Sequence, residues 1–137
     1  MSAVDCIFCQ IVQKKIPSMV LFENEKYLAF LDIFPINEGH TIVIPKNHYD
    51  NIEKIPDNEL VELFKVVKKL AILIHEKLKI DGYNILQNNF EAAGQEIKHI
   101  HVHIIPRYET DEKFELKIQR KESTEKELKN VIKKILS

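Results

Sequence analysis

Residues Gly94 to Tyr108 read GQEIKHIHVHIIPRY, and the segment from Lys98 to Ile105 within them decides the fold. Histidines alternate there with branched apolar residues, which is the period-two pattern of a strand that buries one face. The buried face is predicted to carry Ile100, Val102 and Ile104. The opposite face then carries a row of histidines, which are His99, His101 and His103.

The geometry of a straight strand argues against one metal ion bound by all three histidines. A rise of about 3.3 Å per residue separates the Cα atoms of His99 and His103 by about 13 Å. Zinc needs its nitrogen ligands at about 2.0–2.1 Å from a single ion. Histidine also acts as a nucleophile, as a general acid or base, or as a charged phosphate ligand. Rings about 6.6 Å apart therefore suit a site in which one ring faces a phosphorus atom and the next faces its oxygens.

The composition is that of one globular domain over residues 1–137, with 45% hydrophobic and 30% charged residues. The net charge of -1 provides no basic field, so neither nucleic acid nor a membrane is expected as a partner. The opening MSAVDCIFCQ lacks the basic and apolar segments of a signal peptide. No apolar run approaches the roughly 20 residues that span a bilayer. We therefore expect a cytoplasmic protein.

Strand and helix patterns alternate along the chain. Apolar runs bounded by turn residues predict strands at Met19–Phe22, Tyr27–Leu31, Thr41–Ile44, Tyr83–Gln87 and Lys98–Ile105. Helical spacing predicts a short helix over Cys6–Lys15 and a long one over Asp57–Lys79 that Asp57 caps, and Thr124 with Glu127 predicts a capping box for a C-terminal helix. Residues 109–137 are thus a charged segment, Glu109 to Glu122, followed by an amphipathic helix. Helices beside strands with short hairpin-like links predict an α+β fold with an antiparallel sheet of about five strands.

The two cysteines, Cys6 and Cys9, form a C-x-x-C pair near the start of the chain. In a chain without a secretory signal, metal binding or redox chemistry is favoured over a structural disulfide. A thioredoxin-like redox pair follows a strand, and no strand precedes this pair. Metal binding is therefore the stronger interpretation, and a pair of free thiols is the alternative.

The motif HIHVHII resembles the signature of the histidine triad (HIT) family, with Gly94-Gln95 upstream as in that family. Two further segments, CIFCQIVQKKIPS and AFLDIFPINEGHTIVIPKNHY, resemble other family blocks in the family order. The resemblance covers nearly the whole chain and is closest to the prokaryotic and Hint-type branch. It implies the HIT-like α+β fold, with one long helix beside the sheet and shorter helices at both ends.

The resemblance also implies an enzyme that acts at the α-phosphate of a nucleotide. His101 is expected to attack phosphorus and form a nucleotidyl-histidine, with its ring oriented by the backbone carbonyl of His99. His103 and His40 are expected to neutralise charge on the phosphate oxygens. Gln95 is expected to contact the phosphate or the bridging atom.

The same resemblance implies a nucleotide-binding surface around these residues. The nucleoside pocket would be lined by five apolar residues, for which plain core packing is the simpler interpretation: Ile7, Phe8, Ile11, Phe30 and Ile33. Asp32 would accept hydrogen bonds from ribose hydroxyls, although a turn residue is the alternative. The phosphate end would involve Asn88, Gly94, Gln95, Glu96, His101 and His103.

Two positions depart from the family pattern. Phe90 stands where family members often have glycine, and it is expected to affect the loop conformation or to cover the nucleotide. Glu96 stands where a hydroxyl residue is frequent, and an ionised carboxylate cannot donate a hydrogen bond to a leaving group.

A structural zinc ion is the expected cofactor, because similar prokaryotic proteins carry one. Its ligands would be two cysteines and two histidines, the tetrahedral set that zinc prefers: Cys6, Cys9, His48 and His99. The resemblance further implies a homodimer joined through the long helix and the strand near Tyr83–Gln87.

Three functions are compatible with these residues. A purine nucleoside phosphoramidase acting on an AMP-like substrate is favoured. A dinucleoside polyphosphate hydrolase is the second, because KHIHVHIIPR also resembles the fragile-histidine-triad branch. A non-catalytic, zinc-stabilised nucleotide-binding module is the third, and the intact His101 argues against it.

Overall fold

The structure, a computed structural model, describes residues 5–111 and 120–137. Its elements in chain order are α1 (Ile7–Val12), β1 (Val20–Glu23), β2 (Tyr27–Leu31), β3 (Thr41–Pro45), α2 (Asp57–Leu78), β4 (Gly82–Leu86), β5 (Val102–Arg107) and α3 (Glu125–Leu136). A single 3-10 turn, Glu91–Ala93, lies between β4 and β5. The predicted charged segment falls partly outside the described residues, at 112–119.

The strands form one antiparallel sheet in the order β1-β2-β3-β5-β4. The predicted α+β class and five-stranded antiparallel sheet are therefore confirmed. Strand β5 lies between β3 and β4, so the histidine-bearing strand has neighbours on both sides.

The two faces of the sheet are covered by different helices. The face that carries Ala29, Val43 and Val102 packs against the apolar side of α2 in one buried cluster. The opposite face, which carries Phe30 and Ile42, packs against α1 in a second cluster. Side chains alternate along each strand, so successive residues belong to different clusters. Ile100, Val102 and Ile104 are 0% exposed, which confirms their predicted burial.

The last strand is shorter than predicted, because β5 begins at Val102 and not at Lys98. The β3–β5 ladder ends with Val43 opposite Val102, and its register, if continued, would place Ile44 opposite His101 and then Pro45 opposite Ile100. Proline has no N–H to donate to a ladder. The amide of Ile100 donates instead to the carbonyl of Tyr49, at 2.7 Å.

The structure can be compared with three predictions about where helices begin or end. The first helix ends at Val12, before the predicted Lys15, and Lys14 has a left-handed φ of 63°. Asp57 does not cap α2, because the N-cap position is Pro56 and no side chain caps it. The capping box of Thr124 and Glu127 at the start of α3 is present, as predicted. None of the described helices combines the length and apolar character that crossing a bilayer requires.

Candidate active site and metal-binding cluster

His101 is held in one tautomer by the backbone. Its Nδ1 lies 2.8 Å from the carbonyl oxygen of His99, and a carbonyl only accepts, so Nδ1 carries the hydrogen and donates it. The other nitrogen, Nε2, keeps its lone pair. Burial lowers the pKa of His101, against the opposing effects of this hydrogen bond and of the charges of Asp32 and Glu96. A neutral imidazole with a free Nε2 lone pair is the form that attacks an electrophile.

His103 is held in the opposite tautomer by a chain of hydrogen bonds. The amide of Ile36 donates to Nδ1 of His40 at 3.1 Å, which leaves the hydrogen of neutral His40 on Nε2. Nε2 of His40 lies 2.9 Å from Nδ1 of His103 and donates to it. The hydrogen of His103 is therefore on Nε2, the ring nitrogen that takes no part in these hydrogen bonds. The rings of His101 and His103 are 5.0 Å apart, centroid to centroid.

His40 and His103 are both neutral near pH 7 in this site. Burial, followed by the neighbouring His101 and His40, lowers the pKa of His103 to about 4, against the opposing charge of Asp32. Burial also lowers the pKa of His40, although the charge of Asp32 opposes the change. His103 can therefore serve a phosphate oxygen first as an N–H donor, and it becomes a cation only when an anion raises its pKa.

His40 reaches the row from the entrance of β3. Gly39 precedes it with a φ of +90°, a conformation that favours glycine. A Cβ atom at Gly39 would stand 2.5 Å from Cδ1 of Leu78, so the turn also packs closely against the end of α2. The pairing of β3 with β5, which places Ile42 opposite His103, brings His40 to the histidine row.

Asp32 performs the turn role that was the alternative prediction. Its Oδ1 accepts from the amide of Phe34 at 2.9 Å, while Oδ2 lies 3.6 Å from Nε2 of His40, too far for a hydrogen bond. Asp32, His40 and His103 have ligand-type atoms within 4.8 Å of one another. The hydrogen positions argue against a metal here, because the Nδ1 lone pair of His40 accepts from Ile36 and its Nε2 bears hydrogen.

The five apolar residues predicted for the nucleoside pocket divide into two groups. Phe8, Ile11 and Phe30 are buried in the cluster beneath α1, as the simpler interpretation holds. Ile7 and Ile33 are exposed, at 43% and 80%. The ring of Phe8 meets His101 edge to face at 5.0 Å and His99 at 5.8 Å. Phe8 of α1 therefore packs against the rings of His99 and His101.

The loop between β4 and β5 is held by the side chain of Gln95. Its Oε1 accepts from the amide of Phe90 at 2.8 Å, and its Nε2 donates to the carbonyls of Ile97, at 3.0 Å, and Asp50. Gln95 is 6% exposed and uses both ends of its amide within the protein. Its predicted phosphate contact stays a prediction, and it requires one of these bonds to break.

The other predicted residues of this loop lie around the same turn. The side chain of Asn88 is 3.4 Å from the carbonyl of Gly94, whose φ is +94°. Glu96 is exposed, and its charge acts on the pKa of His101 as described above. Sequence reasoning had placed these residues at the phosphate end of the site, and the structure places them beside the histidine row.

Cys6, Cys9, His48 and His99 come together from three separate parts of the chain, with their ligand atoms all within 4.8 Å of one another. Both cysteines are free thiols. Nδ1 of His99 lies 3.3 Å from Sγ of Cys6 and 3.5 Å from Sγ of Cys9, and Nδ1 of His48 lies 3.4 Å from Sγ of Cys9. Zinc bonds of about 2.3 Å to sulfur and about 2.0–2.1 Å to nitrogen imply sulfur–nitrogen distances of about 3.6 Å in a tetrahedron. The donor set therefore fits a zinc ion.

The outer nitrogens of the two histidines also suit metal binding. Nε2 of His99 donates to the carbonyl of Pro45 at 2.8 Å, and Nε2 of His48 contacts Oδ1 of Asp50 at 3.0 Å. These partners place hydrogen on Nε2 and leave the Nδ1 lone pairs facing the sulfurs, the arrangement typical of metal-bound histidine. Burial, followed by the neighbouring Cys6, raises the pKa of Cys9 to about 12, so a metal would have to displace its proton.

Sequence reasoning missed the residues that orient the histidines. Asp50, Pro45 and Ile36 supply the hydrogen bonds that fix His48, His99 and His40. Only Asp50 had a visible signal, since an acidic residue two positions after a candidate ligand is a natural partner for its second nitrogen. Pro45 and Ile36 act through the backbone, which no residue pattern indicates.

Comparison with known proteins agrees with this fold and this row of histidines. The family model described as "HIT domain" matches residues 13–110. The chain belongs to the HIT family. A HIT-like protein of Methanocaldococcus jannaschii is 54% identical over 106 residues, which are 77% of this chain and 81% of that protein.

Two further relatives extend the comparison. Adenosine 5'-monophosphoramidase HNT1 of Saccharomyces cerevisiae is 45% identical over 102 residues, which are 74% of this chain and 62% of the yeast protein. The crystal structure of a HIT family member from Bacillus subtilis superposes with a TM-score of 0.88 at 38% identity, covering 96% of this chain and 95% of that one. The predicted family is therefore confirmed.

The neutral state of His103 makes stability depend on pH. The unfolded chain protonates this ring near its ordinary pKa of 6.5, whereas the folded chain does so only near 4. The unfolded state therefore binds more protons between these values, and the free energy of unfolding falls as pH drops through this window, by at most about 3 kcal/mol for this residue. We expect His103→Asn to flatten the pH dependence measured by urea unfolding at pH 7 and pH 4.5.

His75→Asn is the matched control, because His75 lies on α2 and contacts Tyr83, outside the site. This control is expected to keep the wild-type pH dependence. Equal flattening in both variants, or none in His103→Asn, would contradict the assignment of a depressed pKa to His103.

Proposed function

We propose that the chain hydrolyses a purine nucleoside phosphoramidate, or a related phosphoanhydride, at its α-phosphate. The observation that carries this proposal is the pair of opposite tautomers, with a free lone pair on Nε2 of His101 and a hydrogen on Nε2 of His103. One ring is thereby a nucleophile and its neighbour a hydrogen donor. The yeast relative named adenosine 5'-monophosphoramidase supports the substrate class.

The reaction follows in two steps. Binding of the phosphate anion raises the pKa of His103, so that this ring becomes a cation before the chemical step. Nε2 of His101 forms a bond to phosphorus as the bond to the leaving nitrogen breaks, and that nitrogen takes a proton from Nε2 of the His103 cation, which returns to the neutral form. Water then attacks the nucleotidyl-histidine, returns a proton to His103 and releases the nucleoside monophosphate and a free His101. One water is consumed in each cycle, and both histidines are restored.

The nucleotide is proposed to lie across the row from the side of Asp32. The Oδ2 atom of Asp32 accepts from no amide in the described residues, and it faces a ribose hydroxyl in this proposal. The exposed side chains of Ile7 and Ile33 provide apolar surface for the base. A diadenosine polyphosphate is the alternative substrate, and binding without turnover is the third outcome.

The nucleophile is tested by His101→Ala. Turnover of an adenosine phosphoramidate should fall below detection, because the remaining rings are not directed at the same phosphorus, while nucleotide binding should persist. His103→Ala should lose less activity, since the nucleophile remains. Acid-quenched mass spectrometry of the wild-type enzyme should locate a nucleotidyl adduct on His101.

A diadenosine polyphosphate assayed beside the phosphoramidate separates the two enzymatic functions. Ile135→Ala, which removes an exposed side chain of α3, serves as the unaffected control. An adduct on another histidine, or near-normal turnover by His101→Ala, would refute the assignment. Binding of nucleotide with no turnover of either substrate would favour the non-catalytic module.

We propose a structural zinc ion bound by the four-residue cluster of Cys6, Cys9, His48 and His99. When bound, the ion supplies a closed tetrahedral cross-link and no open position for water. The residues it would join belong to α1, to the loop after β3 and to the segment before β5. The cluster would therefore fix α1 on the sheet face that carries the histidine row.

Metal analysis of protein purified without chelator should find about one zinc per chain. Cys9→Ser should lose the ion, because one of the four ligands is removed. The melting temperature should fall with the loss of this cross-link, while measurable turnover remains. Cys9 lies in no contact with the reacting nitrogens. The control His75→Ala should retain the metal, and an ion content unchanged by Cys9→Ser would refute the ligand set.

We propose a homodimer that pairs α2 and β4 with a second copy. Strand β4 is at the edge of the sheet, and exposed apolar side chains lie on it and on α2, including Leu73, Tyr83 and Ile85. Light scattering at micromolar concentration should give twice the chain mass of 16.1 kDa. Ile85→Glu should reduce the mass toward one chain, whereas Ile135→Glu on α3 should not, and a monomeric wild type would refute the dimer.

A cytoplasmic location is also proposed. The buried, unpaired thiols of Cys6 and Cys9 suit a reducing compartment. Cell fractionation tests this location, and recovery of the protein in a secreted fraction would contradict it.

A further inference from the structure

The turn between β2 and β3 ends at His40, and a single buried side chain anchors it. Among residues 33–39, all of which the structure describes, that side chain is Asn37, at 9% exposure. Phe34 of the same turn is 83% exposed. A buried amide costs free energy unless it is hydrogen-bonded, so the partners of Asn37 explain its burial.

The side chain of Asn37 is bound to the end of β5, the strand that carries His103. Its Nδ2 donates to the carbonyl of Pro106 at 2.9 Å and also to Oδ2 of Asp111. Pro106 belongs to β5, and Asp111 lies in the turn that follows this strand. The two acceptors use both hydrogens of the amide group. Asn37 therefore ties the turn before His40 to the end of β5.

Arg107 holds the acceptor that Asn37 uses. Its Nε donates to Oδ2 of Asp111 at 2.9 Å, and the side chain of Asp111 is 4% exposed. Its Nη1 donates to Oδ1 of Asn84 on β4, at 2.9 Å. Hydrogen bonds between ionised groups are among the strongest in proteins. The anchor of the turn is therefore a buried network that includes side chains from two strands of the sheet.

The backbone around Asn37 holds the ring of His40. The carbonyl of Asn37 accepts from the amide of His40 at 3.1 Å, and the amide of Ile36 donates to Nδ1 of His40 at 3.1 Å. Without the Ile36 contact, His40 would be free to carry its hydrogen on Nδ1. Nε2 of His40 would then accept from Nδ1 of His103. The hydrogen on Nε2 of His103, which serves a phosphate oxygen, would be replaced by a lone pair.

We infer that Asn37 is a positioning residue, which fixes the turn that sets the tautomer of His40 and thereby keeps a hydrogen on Nε2 of His103. It acts through His40 and contacts no substrate. The kinetic effect of this inference rests on the proposed function, whereas the tautomer of His103 in the free protein does not.

Asn37→Asp tests the inference, because it keeps the shape of the side chain and removes its hydrogens. The new carboxylate would face two acceptors, the carbonyl of Pro106 and the carboxylate of Asp111. Nitrogen-15 NMR at about pH 8, where the rings are neutral, distinguishes protonated from unprotonated ring nitrogens. Nε2 of His103 should give the protonated signal in the wild type and should shift toward the unprotonated signal in the variant. Asn37→Ala, which adds no charge, should shift it in the same direction.

The activity of Asn37→Asp should fall for the same reason. We expect kcat/KM for an adenosine phosphoramidate to drop by about 10-fold, because only the fraction of free protein with the correct tautomer binds phosphate as a donor. The same substitution in a His40→Ala background should cost less than about twofold, since the ring through which Asn37 acts is absent.

Ile80→Val is the control for a general loss of stability. Ile80 is 4% exposed and belongs to the cluster beneath α2, away from the histidine row. Trimming it should lower the melting temperature, as deletion of a buried methylene does. It should leave both the nitrogen-15 signal of His103 and kcat/KM unchanged.

The outcomes separate this inference from the proposed function. An unchanged Nε2 signal of His103 in both Asn37 variants would overturn the positioning role, as would a full 10-fold loss in the His40→Ala background. Wild-type protein that cleaves no phosphoramidate would overturn the proposed function, and the NMR signal would still decide the role of Asn37. A shifted signal together with a non-additive loss of kcat/KM would support both.

Discussion

The end of the β3–β5 ladder, two residues before Pro45, is the constraint on which the site depends. Because Pro45 has no N–H, it cannot donate to Ile100, the residue that the register would place opposite it. The residues just before Val102 lie outside the ladder, and the amide of Ile100 donates to the carbonyl of Tyr49. His99 faces Cys6 and Cys9, and Phe8 contacts both His99 and His101. Pro45 still has a carbonyl oxygen, and this oxygen accepts a hydrogen bond from Nε2 of His99.

The row of alternating histidines becomes three different groups because each ring meets a different partner. His99 presents Nδ1 to the cysteines, His101 presents Nε2 as a lone pair, and His103 presents Nε2 with its hydrogen. Each state is fixed by one hydrogen bond on the opposite nitrogen of the ring. Burial keeps the rings neutral, so the tautomers and not the charges distinguish them. The lowered pKa of His99, about 4, has the same principal cause as that of His103.

Asp50 connects the cluster of Cys6, Cys9, His48 and His99 to the loop between β4 and β5. Its carboxylate holds His48, and its carbonyl accepts from the side chain of Gln95. Gln95 in turn holds the strained turn at Phe90. The loop after β3 therefore contacts both regions, and a displacement of this loop would reach both. The buried amide of Gln95 holds this loop in place, and its predicted contact with phosphate stays a prediction.

The sequence by itself determined which residues are buried and which face the site. Alternation from Ile100 to Ile104 placed the apolar side chains against α2, and the motif identified the family, because both depend on local order along the chain. Only the tertiary structure decided where β5 begins, since a ladder ends where its partner strand ends, and that partner is far away in the sequence. It also decided the tautomers, because they depend on Ile36, Pro45 and the carbonyl of His99, which act through backbone groups common to every residue. Backbone contacts leave no pattern in the side-chain sequence, and so they are settled only when the chain has folded.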